Sequence, residues 1–139
     1  MSFLKDLKFG NLYEKKLVKF LKPQLHAYND DYEYDVLTVK DGKITRYEVK
    51  SDRLMGKTGN ICMEFECNKK PSGISVSKAD MYAYYEVLEN QPDKLYLIPK
   101  TFITEMINKK KYKSIIDCGD GKRAKSYLFS KDVFKQFLN

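Results

Sequence analysis

Two acids and an amine stand out by type and spacing. They are Asp35, Glu48 after twelve intervening residues, and Lys50 two positions further on. Side chains two apart on a β-strand leave by the same face, so Glu48 and Lys50 share a side wherever that segment is extended. Asp35 joins them if a hairpin folds it back in register. Two carboxylates and an ammonium converging on a sheet lose hydration that something must compensate. At about 4 Å two like charges repel by roughly 4 kcal/mol at an effective dielectric of 20. A divalent cation removes that repulsion, and hard carboxylate oxygens suit Mg²⁺. The pattern reads as a metal site.

The hairpin itself is legible. EYDVLTV alternates and is rich in β-branched residues, Asp41-Gly42 is a hairpin-turn dipeptide, and KITRYEVK is the return strand. Before it, residues 3–21 carry helical spacing through Leu7, Gly10, Glu14, Leu17, Val18 and Leu21, in one piece or in two around Phe9-Gly10-Asn11. Pro23 ends that helix. Glu14 falls on the apolar stripe, away from the Lys15, Lys16, Lys19 and Lys22 face. An inward carboxylate needs a partner, so Glu14 either joins the acidic cluster or borders the stripe and pairs with a lysine. Gly10, one turn earlier, would permit close backbone approach.

The arrangement Asp-(twelve residues)-Glu-Val-Lys on a hairpin after an acid-bearing helix resembles the active site of the PD-(D/E)XK nuclease superfamily, the restriction-endonuclease-like fold. The proline of the motif's name is replaced by Tyr34. The resemblance covers roughly residues 10–90. It implies a single α/β domain over residues 1–139 with a central mixed β-sheet flanked by helices, and metal-dependent hydrolysis of DNA phosphodiesters. Asp35, Glu48 and the Val49 carbonyl would hold Mg²⁺ or Mn²⁺, Glu14 would complete the coordination or hold a second ion, and Lys50 would orient or deprotonate the attacking water. Small size and hairpin spacing are similar to archaeal Holliday-junction resolvases, which act as homodimers on branched DNA. They are equally compatible with small phage-type nucleases that cut flaps or single strands.

The remaining chain supplies accessory candidates. SDRLMGKTGN reads as a flexible loop, and Ile61 to Cys67 as a strand with Cys62, Glu64 and Glu66 on its polar face. Glu64, the more central acid, is an extra ligand or part of a solvated face. NKKPSGIS is a polar turn, and Ser77-Lys78-Ala79-Asp80 reads as a capping box opening a helix to about Glu89. The free N–H groups of such a terminus, with Lys69, Lys70, Ser72 and Lys78, would cradle a nucleic-acid phosphate. The PSGISVSKAD run is also similar to a segment of phage and bacterial members of that superfamily. LYLI is a strand, Thr101 caps a helix to Asn108, SIIDCG and SYLF are strands, and Ser130 caps a last helix. Lys109–Lys113 is a solvated helix end or, with Arg123 and Lys125, a phosphate-contacting patch. His26 falls in a polar connection.

Composition narrows the class. A chain of 139 residues with 42% hydrophobic and 14% aromatic content supports one adequate core and argues against disorder. The net charge of +7, of which residues 101–139 carry +5, favours an anionic partner. Three cysteines and one histidine make no zinc set. No signal peptide or long apolar run is present, so the expectation is a reduced, cytoplasmic protein that does not enter membranes. Two other classes fit the same residues: a basic nucleic-acid binder without catalysis, and an interaction module whose acids form ordinary salt bridges.

Overall fold

The computed structural model describes residues 2–29, 31 and 33–139, with residues 2–11 and Asp120 described by backbone alone. A helix, α1 (Ser2–Leu21), runs unbroken through Gly10 and stops where Lys22 takes φ +51° ahead of Pro23. Its last carbonyl, Leu21 O, accepts from Lys40 Nζ at 2.8 Å, a cation at the negative end of the helix dipole. Any close approach at Gly10 falls on side-chain surroundings outside the described residues.

Strands β1 (Leu25–Tyr28), β2 (Val36–Lys40) and β3 (Lys43–Asp52) follow as an antiparallel meander. The β2–β3 turn is Asp41-Gly42, both with positive φ (+51° and +77°), which is what a two-residue turn matching the strand twist demands. β1 was not expected: His26 lies on this exposed edge strand, edge-on to Tyr28 at 5.4 Å between ring centroids. After β3, the segment expected as a loop winds into a short helix, α2 (Met55–Thr58). Asp52 Oδ1 starts it by accepting from the N–H groups of Leu54 (2.7 Å) and Met55 (2.9 Å).

Strands β4 (Asn60–Cys67) and β5 (Lys70–Pro71) turn through Asn68-Lys69, again with both φ positive. A 3₁₀ turn, Gly73–Ser75, leads to β6 (Met81–Glu86) and β7 (Lys94–Pro99). Here the structure corrects the helix expected from Ser77 to Glu89. The residues MYAYYE form a strand paired parallel to β3 and antiparallel to β7. Ser77 caps no helix, its Oγ accepting instead from Ala79 N–H at 3.1 Å, and Asp80 Oδ2 accepts from Arg46 N–H at 2.8 Å. Tyr82 and Tyr84 face one way, Ala83 and Tyr85 the other, and all four are buried. A strand covered on both faces shows no polar alternation, so its aromatics resemble a helical stripe.

The chain closes with α3 (Lys100–Asn108), β8 (Ser114–Cys118), β9 (Ala124–Ser130) and a 3₁₀ segment, Lys131–Phe137. Thr101 is not the cap of α3, since Pro99 precedes its first turn and no side chain caps it. Ser130 does cap the last segment, its Oγ accepting from Asp132 N–H at 3.3 Å.

The expected mixed sheet is present, in the order β1-β2-β3-β6-β7, and an antiparallel sheet ordered β5-β4-β9-β8 stands beside it. This second sheet was not anticipated. α1 covers one face of the mixed sheet through Tyr13 and Leu17 against Val36, Tyr47, Tyr85 and Leu95. The other face, with Tyr82, Tyr84, Tyr96 and Ile98, packs on Met63, Phe129 and Phe134. Phe129 and Phe134 are fully buried, each contributing about 1.5–3 kcal/mol by burial. Among the described residues no helix is long and apolar enough to cross a membrane.

Candidate active site

Asp35 stands one residue before β2. Its N–H donates to Tyr47 O at 2.8 Å, prolonging the hairpin ladder that otherwise ends at the Val36–Tyr47 pair. Its side chain then reaches across to β3, where Oδ2 accepts from Val49 N–H at 2.7 Å. The N–H and C=O of a strand residue leave by the same edge. The Val49 carbonyl is therefore directed toward Asp35, where β2 has run out.

Glu48 occupies the neighbouring position on β3, opposite Tyr82 of β6, and is only 9% exposed. Lys50 Nζ lies 4.0 Å from Glu48 Oε2, its own side chain half exposed. The register thus assembles the triad that the spacing expects. Burial pushes Glu48 up to about 7, and the charge of Asp35 adds to the rise while Lys50 opposes it. Asp35 is also raised, chiefly by burial, against the pull of the Val49 N–H and Lys50. The two carboxyls sit within hydrogen-bonding reach of each other, so without a cation they compete to stay neutral.

Glu14, on the half-buried side of α1, acts on Glu48 as a further negative charge. Among the described residues, no group of three or more His, Cys, Asp or Glu side chains is placed to hold a metal ion. Two carboxylates and a carbonyl still suit Mg²⁺, which keeps several waters and uses one or two protein carboxylates. The mutual repulsion of Asp35 and Glu48 is the observation that such a cation would relieve.

These groups line a cleft of about 580 Å³ between the two sheets. Asp35, Glu48 and Lys50 form one side, and Cys62, Met63 and Glu64 of β4 the other. Glu64 accepts from Ser72 Oγ at 2.9 Å, so Ser72 stands in the cleft as a partner of Glu64. Glu66 parts from Glu64 at a β-bulge and falls opposite Lys125, which also lies across from Asp117 on β8. Strict alternation could not reveal this, because the bulge shifts the ladder by one residue.

The helix N-terminus expected to cradle phosphate does not exist, since β6 is a strand. Lys78 pairs with Glu33 at 3.2 Å. Lys69 and Lys70 lie at the exposed β4–β5 turn and not on the cleft wall. The C-terminal basic run is partly engaged: Lys109 pairs with Glu105 at 2.6 Å and Lys113 donates to Asn60 at 2.7 Å. Sequence reasoning missed Asp31, Tyr82 and Tyr84 on the cleft wall. Reading 81–86 as a strand would have put both tyrosines on one face, which the parallel pairing with β3 makes the Glu48 face. Burial, then the charges of Glu48 and Asp35, hold the Tyr82 hydroxyl up at about 12.

No family model matches the sequence, and no curated protein is similar to it at a significant level. Among solved structures, the chain is similar to Hjc, a Holliday junction resolvase from the archaeal hyperthermophile Archaeoglobus fulgidus. The TM-score is 0.46 and the identity 8%, over 91% of this chain and 88% of that one.

Proposed function

We propose that the chain is a metal-dependent nuclease that hydrolyses phosphodiester bonds in DNA. The observation carrying this reading is the pairing of the buried Glu48 carboxyl with the half-buried Asp35 carboxyl on one side of a cleft, with the Lys50 ammonium beside them. Asp35, Glu48 and the Val49 carbonyl are the groups that would hold Mg²⁺ or Mn²⁺, and Glu14, whose charge reaches Glu48, would complete the coordination or hold a second ion. When bound, the ion supplies positive charge at the phosphoryl group and makes water more acidic.

Lys50 stands where it can position the attacking water and offset charge gathering on the phosphoryl oxygens. In the step, the water oxygen forms a new bond to phosphorus and the ester P–O bond breaks. The proton shed by water ends on the departing oxygen. The Val49 N–H holds one oxygen of the Asp35 carboxyl in place, and the carboxyl lines the cleft beside Glu48.

Purified protein incubated with plasmid, single-stranded and branched DNA, with Mg²⁺, Mn²⁺ or EDTA, tests the reading. Cleavage should require the metal and vanish in Asp35→Ala. Cleavage that survives EDTA, or an Asp35→Ala protein as active as the parent, removes it. Salt-sensitive binding without cleavage would support instead the basic nucleic-acid binder, whose affinity falls with a log–log slope of about −0.9 per phosphate neutralised.

A further inference from the structure

We infer that the cleft takes one unpaired nucleotide of a single strand, and that an intact duplex does not deliver its phosphate to the Asp35–Glu48 pair. The inference rests on the nuclease reading above and specifies its substrate.

Shape is the first argument. Glu48 is 9% exposed and lies between two walls, β3 and β6 of one sheet and β4 of the other. The scissile group must therefore enter a slot of about 580 Å³. Clefts of ~300–1,000 Å³ enclose small organic ligands, which a nucleotide matches. A duplex, whose single turn spans ~34 Å, can meet only the rim. On the β4 side, the Gly73 backbone (φ +52°) packs so closely on that strand that a Cβ would stand 2.1 Å from the Glu64 carbonyl oxygen, which fixes the Ser72–Gly73 edge of the slot to that wall.

Chemistry is the second. Grooves that track a duplex backbone present lysine and arginine to its phosphates. Among the described residues lining this cleft, Lys50 is the one cation, against the carboxyls of Asp31, Asp35, Glu48 and Glu64. One phosphate accompanied by a cation is tolerable in such a field, and two closely spaced phosphate strands are not. Met63, Ile74, Tyr82 and Tyr84 back the lining from within the core, each between 3% and 9% exposed. Lys69 and Lys70 remain outside, where they could hold the flanking backbone of a flexible strand.

The test uses the full chain with Mn²⁺ and one labelled oligonucleotide in three forms: single-stranded, annealed to its complement, and closed as a hairpin. The single strand should be cut at least about tenfold faster than the duplex, and the hairpin in its loop, because only unpaired nucleotides turn into a pocket without an unstacking cost. Equal rates on duplex and single strand overturn the inference and leave the nuclease reading standing. No cutting of any form by the parent overturns both.

Discussion

Replacing Glu48 with glutamine should make the metal-free protein more stable while destroying its activity. In the fold, burial and the neighbouring Asp35 raise Glu48 from 4.5 to about 7. Between those values the folded state holds a proton that the unfolded chain releases. Stability is therefore fully present below pH 4.5, falls as pH rises, and is lost by about pH 8. At 1.36 kcal/mol per unit, ionising Glu48 in place costs about 3 kcal/mol. Glutamine keeps the shape without the charge, so at pH 8 the variant should exceed the parent by up to about 3 kcal/mol, less whatever Lys50 loses with its partner. Urea denaturation reads this directly: with a slope of about 1–3 kcal/mol/M, the midpoint should move up by about 1 M or more. The two proteins should converge below pH 5. Adding Mg²⁺ at pH 8 should then raise the parent's midpoint, since a ligand of the folded state stabilises it, and leave the variant's nearly unmoved. A glutamine variant that is equally or less stable than the parent at pH 8, with the same pH dependence, would refute the claim that the pair is held together against its own repulsion.

Lys50→Ala should lower cleavage by about 10²–10⁴-fold while far-UV circular dichroism and thermal unfolding stay at parent values; a smaller loss in single-turnover assays argues against its placement at the water. Lys131→Met should destabilise by about 3–5 kcal/mol, because Glu86, 1% exposed, loses the ammonium 2.8 Å away; an unchanged urea midpoint would count against that pair. Gly73→Ala should cost more than about 1 kcal/mol, since its φ is positive and the new Cβ meets the Glu64 carbonyl, and the loss should appear in both stability and cleavage.

The local grammar of the hairpin was complete in the sequence: Asp41-Gly42 dictates the turn, the turn dictates the register, and the register places Asp35, Glu48 and Lys50 together, because all three steps depend on residues within one ribbon. Helical spacing put Glu14 on the inward stripe of α1 and left its partner open, and in the fold its charge reaches Glu48. What surrounds them was decided at long range. MYAYYE became a strand because β3 and β7 offered hydrogen bonds on both edges while α1 and the second sheet buried both faces, a contest between partners distant in the chain. The same event erased the helix terminus that Lys78 would have flanked and put Tyr82 opposite Glu48. Glu64 and Glu66, alike on the strand by alternation, were separated by a bulge set by pairing with β9. The cleft exists only because β4, far from β3's ladder, stands across from it. A side-chain period reports one element's faces, and only the packed fold decides what each face meets.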